Sequence, residues 1–477
     1  MKKIISKIPL WVRIILCVVL VMAAIHLLMF LWPSARLNAF LKRQNSTRFY
    51  DRNGELLFVM PLEEGLRREQ LPLEEIPLEV QKAFIDAEDR NFYFHPGVDF
   101  FSIIRAYSQN KKEGRIVSGA STITMQLCRL IYPRTKKVTV QTKIKEMLLS
   151  FYLEAKFSKK KILELYLNNI PFGFQVEGIA SASRSFFGIE PKLLTPEQMQ
   201  ILATIPRRPS DYAPEKLYEY QKQCPHFIDY VISEYKNQNK KIPDEVILSV
   251  DSKMVKVTEK LIQSKLDEYQ NARIHNGSAF VINNRTGEIL IYVGNASYLD
   301  EEHGGQIDGV QVTNQPGSSM KPFLYAQNLE MGIEPTAVLP DIQMDFGGQG
   351  VYVPLNFNNR FNGPVRFRIA LASSLNVPAV YLLYNIGIDS YLEQLKKLGF
   401  DSLDGKRDGI GLSLALGSGE VKLCEMVRAF SVFTGDGMLP ELSFEKKSTA
   451  AKRNVKCYEK DTARIMCSIL SDKSALF

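Results

Sequence analysis

Residues that commonly build metal sites and disulfide frameworks are scarce in this sequence. Only 6 cysteines and 5 histidines occur among the 477 residues, and no two cysteines are spaced as C-x-x-C. Cys17 falls in a hydrophobic segment, which leaves an odd number of cysteines in the rest of the chain. Neither a zinc site nor a disulfide framework is indicated, and free buried cysteines are expected instead.

A strong excess of charge of one sign is also missing. The formal net charge is only +8, from 60 Lys and Arg against 52 Asp and Glu. Spread over this length, the excess favours an anionic surface or substrate over nucleic acid, although a merely basic solvated surface explains it equally well. The length corresponds to roughly three domains, each able to bury its own core.

One long hydrophobic run stands near the N-terminus. Residues 14–32 contain no Asp, Glu, Lys or Arg, and about 20 such residues are needed to cross a bilayer. Basic residues precede the run and tryptophans flank it, so residues 1–32 are predicted to be a cytoplasmic tail and a transmembrane anchor. A cleaved signal peptide is the alternative, but the run is long for one and residues 33–36 form a weak cleavage site. The flanking residues are Lys2, Lys3, Lys7, Arg13, Trp11 and Trp32.

Beyond the anchor, the pattern of the sequence changes twice. Residues 45–214 begin with a strand, a turn and a strand, and then become almost entirely helical. Residues 215–270 are rich in Lys, Glu, Gln and Tyr and are predicted to be a linker with some helix. In residues 271–477 strands and helices alternate after a hairpin that turns at residues 284–287, which predicts an α+β domain.

Two adjacent carboxylates, Glu88 and Asp89, end the first amphipathic helix of the helical region. A loop of small residues at 118–122 then opens a second helix, whose N-terminal N–H groups can bind an anionic group. A carboxylate is suited to act as a general base, and cations are suited to stabilise a leaving phosphate. The pattern therefore predicts a polar active-site cleft.

Residues 88–97 (EDRNFYFHPG) and 118–127 (SGASTITMQL) resemble the first two motifs of the family 51 peptidoglycan glycosyltransferases, the polymerase half of class A penicillin-binding proteins. The resemblance extends over residues 49–214 and implies a mostly α-helical, lysozyme-like glycosyltransferase domain. It makes Glu88 the general base and places Asp89 and His95 at the substrate. A helix-ending carboxylate with a capping role is the structural alternative.

The second and third motifs of the family supply further substrate contacts that the resemblance implies. These are Ser121, Thr122, Thr124, Gln126, Arg129 and Lys143. Arg129 and Lys143 would bind the pyrophosphate, and Met125 stands where the family usually has Gln, as in its 1C branch. The third motif lacks its arginine but keeps Lys143 and Glu146 on one helix face. Glu146 would be the second catalytic carboxylate, whereas a surface ion pair is the alternative.

A second set of motifs lies in residues 271–477. Ser318 and Lys321 resemble the Ser-x-x-Lys motif of penicillin-recognising transpeptidases, in which the lysine takes the proton of the serine. Ser374 and Asn376 fit the Ser-x-Asn motif, with the serine shuttling a proton and the asparagine holding the substrate amide. The third motif, Lys-Thr-Gly, does not occur in the sequence. The penicillin-binding transpeptidase-like domain is therefore expected to be truncated and incomplete.

The resemblance implies a multidomain enzyme of the bacterial inner membrane, a single-pass protein that polymerises lipid II into glycan strands and releases undecaprenyl pyrophosphate. Its expected partners are lipid II, the growing glycan strand, the membrane and cell-wall synthesis proteins, with penicillin and moenomycin as inhibitors and no nucleic acid. No metal-binding residue is assigned, and a divalent Mg or Mn ion assisting the pyrophosphate is the one cofactor considered.

Two other functions stay open at this point. One is a serine acyl enzyme of the transpeptidase or β-lactamase type, against which the missing Lys-Thr-Gly argues. The other is a non-catalytic cell-wall scaffold, against which the intact Glu88 and Glu146 argue.

Overall fold

The computed structural model describes residues 10–31, 34–115, 119–133, 139–207, 217–218, 222–347, 351–447, 449, 451–453 and 455–475. The chain divides into two units. The first contains residues 1–48 and 59–221, and the second contains residues 49–58 and 222–477. Two of the boundaries fall within strands β1 (Thr47–Tyr50) and β2 (Leu56–Met60).

The first unit is mostly helical. Its helices are α1 (Leu10–Leu31), α2 (Ala35–Leu41), α3 (Leu78–Glu88), α4 (Phe100–Glu113), α5 (Ile123–Ile131), α6 (Val140–Lys156), α7 (Lys159–Asn169), α8 (Ile179–Phe187) and α9 (Pro196–Thr204). The short strands β3 (Arg67–Arg68), β4 (Pro171–Gly173) and β5 (Val176–Glu177) form one sheet. In it β5 lies in the middle, parallel to β3 and antiparallel to β4.

The apolar face of α3 anchors this helix in the core of the first unit. Val80 and Phe84 are four residues apart, share one face and are fully buried. They belong to a core cluster that includes Tyr166 of α7 and Phe172 of β4. The rings of Phe84 and Phe172 meet edge to face, with centroids 6.2 Å apart. Because α3 is held along this face, its last residue, Glu88, is carried by a rigid element.

Polar side chains determine where the neighbouring helices begin. The Asp99 carboxylate accepts a hydrogen bond from the Ser102 N–H at 3.0 Å and starts α4. The Thr122 hydroxyl accepts one from the Met125 N–H at 3.1 Å and starts α5. Such caps satisfy backbone N–H groups that the first turn of a helix leaves unpaired. The starts of α4 and α5 are therefore defined by side chains of the sequence itself.

The second unit mixes strands and helices. Its further strands are β6 (Glu245–Ile247), β7 (Ala279–Ile282), β8 (Ile289–Val293), β9 (Thr313–Asn314), β10 (Val338–Asp341), β11 (Gly363–Arg366), β12 (Val421–Lys422), β13 (Met438–Leu439) and β14 (Val455–Lys456). Its helices are α10 (Pro225–Asn237), α11 (Ser252–Glu268), α12 (Lys321–Glu330), α13 (Phe367–Ala372), α14 (Asn376–Ile386), α15 (Ile388–Lys397), α16 (Leu423–Thr434) and α17 (Lys460–Ser471). Strands β7 and β8 form the predicted antiparallel hairpin.

The core of the second unit surrounds α12. Phe323 of α12 stacks on Phe433 of α16, with ring centroids 5.7 Å apart. The Tyr391 hydroxyl donates a hydrogen bond to the Met320 carbonyl at 3.1 Å. Both contacts lie within one turn of Lys321, the first residue of α12. They therefore fix the position of the Lys321 backbone.

The unit boundaries differ from the predicted domains 45–214, 215–270 and 271–477. Residues 49–58 belong to the second unit, because β1 lies between β2 and β6 in a three-stranded sheet. The predicted linker contains α10, β6 and α11. Helix α10 buries Phe227 and Val231 completely. The polar residues of this stretch thus include the exposed faces of amphipathic helices.

Within the described ranges, no one helix is long and apolar enough to pass as a membrane span. Val19–Leu31 and Ala35–Leu41 pass the same test only together, as two helices bent by 58°. The predicted span at residues 14–32 stays a prediction. Several residues of that prediction lie outside the described part of the chain, either wholly or in their side chains: Lys2, Lys3, Lys7, Trp11, Arg13, Cys17 and Trp32.

The cap of α4 gives a pH-dependent prediction. Burial alone would raise the pKa of Asp99, but hydrogen bonds from Asn91 and Ser102 lower it from 3.8 to about 2. The folded-state pKa is the lower one, so this contribution to stability is present above pH 4 and is lost as the pH falls towards 2. We expect Asp99→Ala to lower the free energy of unfolding by about 1 kcal/mol at pH 7 and by less at pH 3, measured by urea denaturation.

Ser158 provides a neutral control for this test. Its hydroxyl caps α7 by accepting from the Lys161 N–H at 3.3 Å, and it does not titrate in this range. Ser158→Ala should therefore destabilise the chain equally at both pH values. An equal loss at pH 7 and pH 3 for Asp99→Ala would contradict the prediction.

Candidate active site

Glu88 lies at the C-terminal end of α3, and both oxygens of its carboxylate accept hydrogen bonds. Gln126 of α5 donates from Nε2 to Glu88 Oε2 at 2.6 Å. Arg207 donates from Nε to Glu88 Oε1 at 2.7 Å. The carboxylate borders a cleft of about 280 Å³, which charged and hydroxyl side chains line. A carboxylate held at the edge of a polar cleft is a candidate general base.

A buried tyrosine orients Gln126. Tyr166 of α7 is fully buried, and its hydroxyl donates to Gln126 Oε1 at 3.2 Å. Burial raises the pKa of Tyr166 well above its ordinary value, and the nearby Glu88 adds to this, so the hydroxyl keeps its proton. Because Tyr166 donates to the amide oxygen, the amide nitrogen of Gln126 faces Glu88. The core of the unit thereby fixes the direction of the Glu88 carboxylate.

Asp89 and His95 form a buried brace behind Glu88. His95 Nε2 lies 2.9 and 3.0 Å from the two oxygens of Asp89, and the Ile123 N–H donates to Asp89 Oδ2 at 3.0 Å. The Gly97 N–H donates to His95 Nδ1 at 3.1 Å, so Nε2 carries the proton that binds Asp89. Only 7% of Asp89 and 9% of His95 is exposed. Their polar contacts connect α3 to α5, and Asp89 also lines the cleft. The predicted place of Asp89 and His95 at the substrate stays a prediction.

The hydroxyl groups of Thr122 and Thr124 form hydrogen bonds within the first unit. The Thr122 hydroxyl donates to the Gly97 carbonyl at 2.6 Å, and the Thr124 hydroxyl donates to Glu154 Oε1 at 2.6 Å. Thr122 is 2% exposed and Thr124 is completely buried. Substrate contact was predicted for both and stays a prediction. Thr122 lines the cleft, and both hydroxyls are bonded to protein atoms that lie 25 and 30 positions away in the sequence.

The start of α5 offers fewer backbone donors than the sequence suggested. The Ile123 N–H is bonded to Asp89, and the Met125 N–H is bonded to Thr122. Two of the first N–H groups of the helix thus have protein acceptors. The predicted anion site at this helix start therefore has fewer backbone N–H groups available than an uncapped helix would offer.

Lys143 and Glu146 lie one turn apart on α6 and face the start of α5. Lys143 Nζ lies 3.2 Å from Glu146 Oε2 and donates to Ser121 Oγ at 3.3 Å. The Lys143 side chain is 37% exposed and that of Glu146 only 8%. Arg129 of α5 is half-buried, and its Nε donates to the Met125 carbonyl at 3.4 Å. The buried Glu146 carboxylate thus binds the ammonium group of Lys143, whose side chain remains partly exposed to solvent.

Arg207 was absent from the predicted site. It ends the one-turn helix Ile205–Arg207 after α9 and lies 119 positions from Glu88 in the sequence. The available signal was a pair of arginines at 207 and 208 between two prolines. Basic residues in proline-rich turns are common on protein surfaces, so only the fold identifies Arg207 as a partner of Glu88.

The second unit brings Lys321, Ser374 and Asn376 together. Lys321 Nζ donates to the Ser374 carbonyl at 2.6 Å, to Ser374 Oγ at 3.2 Å and to Asn376 Oδ1 at 2.8 Å. Lys321 is 1% exposed, and burial lowers its pKa from 10.5 to about 8. Ser318 lies one turn earlier, exposed in the helical turn Gly317–Met320. The lysine is thus bonded to the second motif, and the predicted nucleophile faces solvent.

A buried polar network supports the second motif. Ser374 adopts a left-handed backbone with φ of +55°. The Asn376 N–H donates to Asn356 Oδ1 at 2.8 Å, and Asn356 Nδ2 donates to Asp341 Oδ1 at 2.8 Å. Asp341 is completely buried. This chain of contacts keeps the Ser-x-Asn segment in the conformation that presents its oxygens to Lys321.

Two family models match separate parts of the chain. The transglycosylase model matches residues 53–234, and the model of the penicillin-binding protein transpeptidase domain matches residues 277–473. Penicillin-binding protein 1C of Escherichia coli (strain K12) is 31% identical over 421 residues, covering 82% of this chain and 54% of the relative. Penicillin-binding protein 1F of Bacillus subtilis (strain 168) is 32% identical over 452 residues, covering 84% and 61%. The chain combines the two domains of the class A penicillin-binding proteins.

A solved structure has the same fold. Penicillin-binding protein 1A from Haemophilus influenzae aligns with a TM-score of 0.52 over 87% of this chain and 71% of that chain, at 20% identity. The predicted succession of a helical transglycosylase domain and a transpeptidase domain is confirmed by these matches. The chain spans 54% and 61% of the length of the first two relatives.

The buried brace of the transglycosylase domain gives a stability prediction. Asp89→Ala would leave His95 Nε2 and the Ile123 N–H without an acceptor in the interior. We expect it to lower the free energy of unfolding by about 2 kcal/mol, measured by thermal unfolding. Asp86→Ala, at an exposed position of α3, should change stability by less than about 0.5 kcal/mol. Wild-type stability of Asp89→Ala together with lost ligand binding would instead identify Asp89 as a direct substrate contact.

Proposed function

We propose that the transglycosylase domain polymerises lipid II into glycan strands, with inversion at the anomeric carbon and release of undecaprenyl pyrophosphate. The observation that carries this proposal is the Glu88 carboxylate, oriented by Gln126 at the edge of a polar cleft. The match to the transglycosylase family model and the likeness to penicillin-binding proteins 1C and 1F support it. The roles of the individual residues follow from their positions and are part of the proposal.

In the proposed reaction, Glu88 takes the proton of the acceptor's 4-hydroxyl group as the hydroxyl oxygen attacks the anomeric carbon of the donor. The bond between that carbon and the diphosphate oxygen breaks, and the diphosphate leaves with the electron pair. Attack opposite the leaving group gives a β-linkage. A correctly placed general base accounts for about 10²–10⁴ of the rate enhancement.

Lys143, Ser121 and Arg129 are the groups that we assign to the diphosphate. The Lys143 ammonium is partly exposed and bonded to Ser121 Oγ at 3.3 Å, so it is available to a negative oxygen. Glu146 holds that ammonium from the buried side. A fixed cation aimed at the leaving group stabilises the charge that develops there.

A divalent Mg or Mn ion that assists the pyrophosphate is a separate proposal. In the part of the chain that the structure describes, no group of three or more His, Cys, Asp or Glu side chains is arranged to hold a metal. An Mg or Mn ion at a diphosphate is commonly held by one or two carboxylates together with the phosphate oxygens, so this ion stays a proposal, and the steps above describe the side chains alone.

We further propose that the chain works at the bacterial inner membrane, with residues 14–32 as its anchor and both domains outside the cytoplasm. Lipid II is itself a membrane lipid. Helix α4 exposes Phe101 by 86%, Ile104 by 64% and Tyr107 by 67%, and its last turn carries Lys111 and Lys112. Exposed apolar side chains with basic residues nearby suit a lipid surface. Cell-wall synthesis proteins are proposed partners, and moenomycin and penicillin are proposed inhibitors.

Glu88→Gln tests the leading proposal. We expect the variant to fold normally and to polymerise lipid II about 10²–10⁴ times more slowly, because the amide cannot accept the proton. The measurement is incorporation of labelled lipid II by the purified full chain, with and without moenomycin. Glu79→Gln, on the exposed first turn of α3, should retain activity. Near-normal polymerisation by Glu88→Gln would remove Glu88 from the mechanism.

Acyl transfer at Ser318 is the second candidate function. The buried Lys321, with a pKa lowered to about 8 by burial, favours it. A neutral Lys321 would take the Ser318 proton as Ser318 Oγ attacks a carbonyl carbon, and Ser374 would pass a proton to the leaving group. Binding of penicillin by this domain would follow the same chemistry.

The pKa of Lys321 predicts how acylation depends on pH. Only the neutral amine accepts a proton, so the acylation rate should rise about tenfold per pH unit below pH 8 and level off above it. The measurement is the initial rate of labelling by a fluorescent penicillin. Ser318→Ala should abolish labelling, whereas Ser319→Ala should retain it. A rate that is flat between pH 6 and 9 would exclude Lys321 as the base.

A further inference from the structure

The ion pair between Arg207 and Glu88 joins one exposed and one buried side chain. Arg207 Nε lies 2.7 Å from Glu88 Oε1, and the Arg207 side chain is 54% exposed while that of Glu88 is 7% exposed. Arg207 stands at the end of a single helical turn after α9. Glu88 is held from the core through Gln126 and Tyr166. Of the two partners, the guanidinium is the one that is free to move.

The position of Arg207 conflicts with the use of Glu88 as a base. Gln126 bonds to Oε2 from the protein side, so Oε1 is the oxygen left for an acceptor hydroxyl. Arg207 bonds to that oxygen. A general base must lie within hydrogen-bond reach of the proton that it takes. An arginine that stays on Oε1 competes with the acceptor for the same site.

A diphosphate is a stronger partner for this guanidinium than one carboxylate. It carries more negative charge, and its oxygens match the fork of N–H donors on arginine. Arg207 lines the same cleft as Glu88 and Ser121. A lipid-linked sugar donor that enters this cleft therefore encounters the exposed guanidinium of Arg207. The present partner of this guanidinium, Glu88, carries less negative charge than the diphosphate of the donor.

We propose that Arg207 exchanges partners during the reaction. In the empty cleft it holds Glu88, and when the lipid-linked donor binds, it moves to the diphosphate and leaves Glu88 Oε1 to the acceptor hydroxyl. Arg207 is then a positioning residue for Glu88 and a binding residue for the diphosphate. The inference rests on the proposed function and adds the order of events: the donor binds first and makes the base available.

The other arginines of the cleft have different contacts. Arg90 Nε donates to the Asp86 carbonyl at 3.3 Å, and Arg105 Nη2 donates to Ser102 Oγ at 3.2 Å. Both acceptors are uncharged. Arg105 therefore serves as a matched control, a cleft-lining arginine with no described contact to Glu88.

A double-mutant cycle on binding tests the exchange. The ligand is undecaprenyl pyrophosphate, which has no sugar or peptide, and the protein is the full chain in detergent. If Arg207 must leave Glu88 in order to bind, the wild type spends part of the binding energy on breaking that pair. Arg207→Ala should then weaken binding about fivefold more in the Glu88→Gln background than in the wild type. Repulsion between Glu88 and the ligand cancels in the cycle.

The controls separate the possible outcomes. Arg105→Ala should weaken binding by the same factor in both backgrounds, and Arg207→Lys should retain part of the difference. Equal effects of Arg207→Ala in the two backgrounds, or no effect in either, would overturn the exchange. These readouts do not use turnover. Failure of the unmodified chain to incorporate lipid II would instead overturn the proposed function.

Discussion

The buried Asp89 carboxylate is the contact on which the first active site depends. It accepts from His95 and from the backbone of Ile123, and so ties the end of α3 to the start of α5. Glu88 is the residue before Asp89, and Gln126 lies one turn beyond Ile123. The 2.6 Å contact between Glu88 and Gln126 thus requires these two helix ends to stay in register. Precise placement of reactive groups by supporting contacts of this kind is a general requirement of enzyme sites.

The two candidate sites hold charged groups of opposite sign. In the transglycosylase domain a carboxylate is surrounded by donors, Gln126 and Arg207. In the transpeptidase domain an amine is buried among acceptors from Ser374 and Asn376. Burying an ammonium group is costly even with such partners, and the lowered pKa of Lys321 expresses that cost. Each domain therefore keeps its candidate catalytic group in place with hydrogen-bond partners of the complementary kind.

Local sequence patterns predicted the elements better than they predicted the direction of the side chains. The end of α3 at Glu88, the β7–β8 hairpin and the helix carrying Lys143 and Glu146 follow from periodicity and turn chemistry. Thr124 was predicted to face the substrate, yet its hydroxyl bonds to Glu154, 30 positions away. Arg207 was missed because its partner lies 119 positions away. Contacts at such separations arise from tertiary packing and leave no periodic signal.

The two side chains of the Arg207–Glu88 pair differ in exposure, and this difference determines how salt affects the pair. Ions in solution screen exposed charges strongly and buried charges weakly, over a Debye length of about 8 Å at physiological ionic strength. With 54% of the Arg207 side chain in solvent and 7% of Glu88, added salt acts on one partner of the pair far more than on the other. Ionic strength therefore acts on this ion pair mainly through the Arg207 side chain, and the strength with which Arg207 holds Glu88 varies with the salt outside.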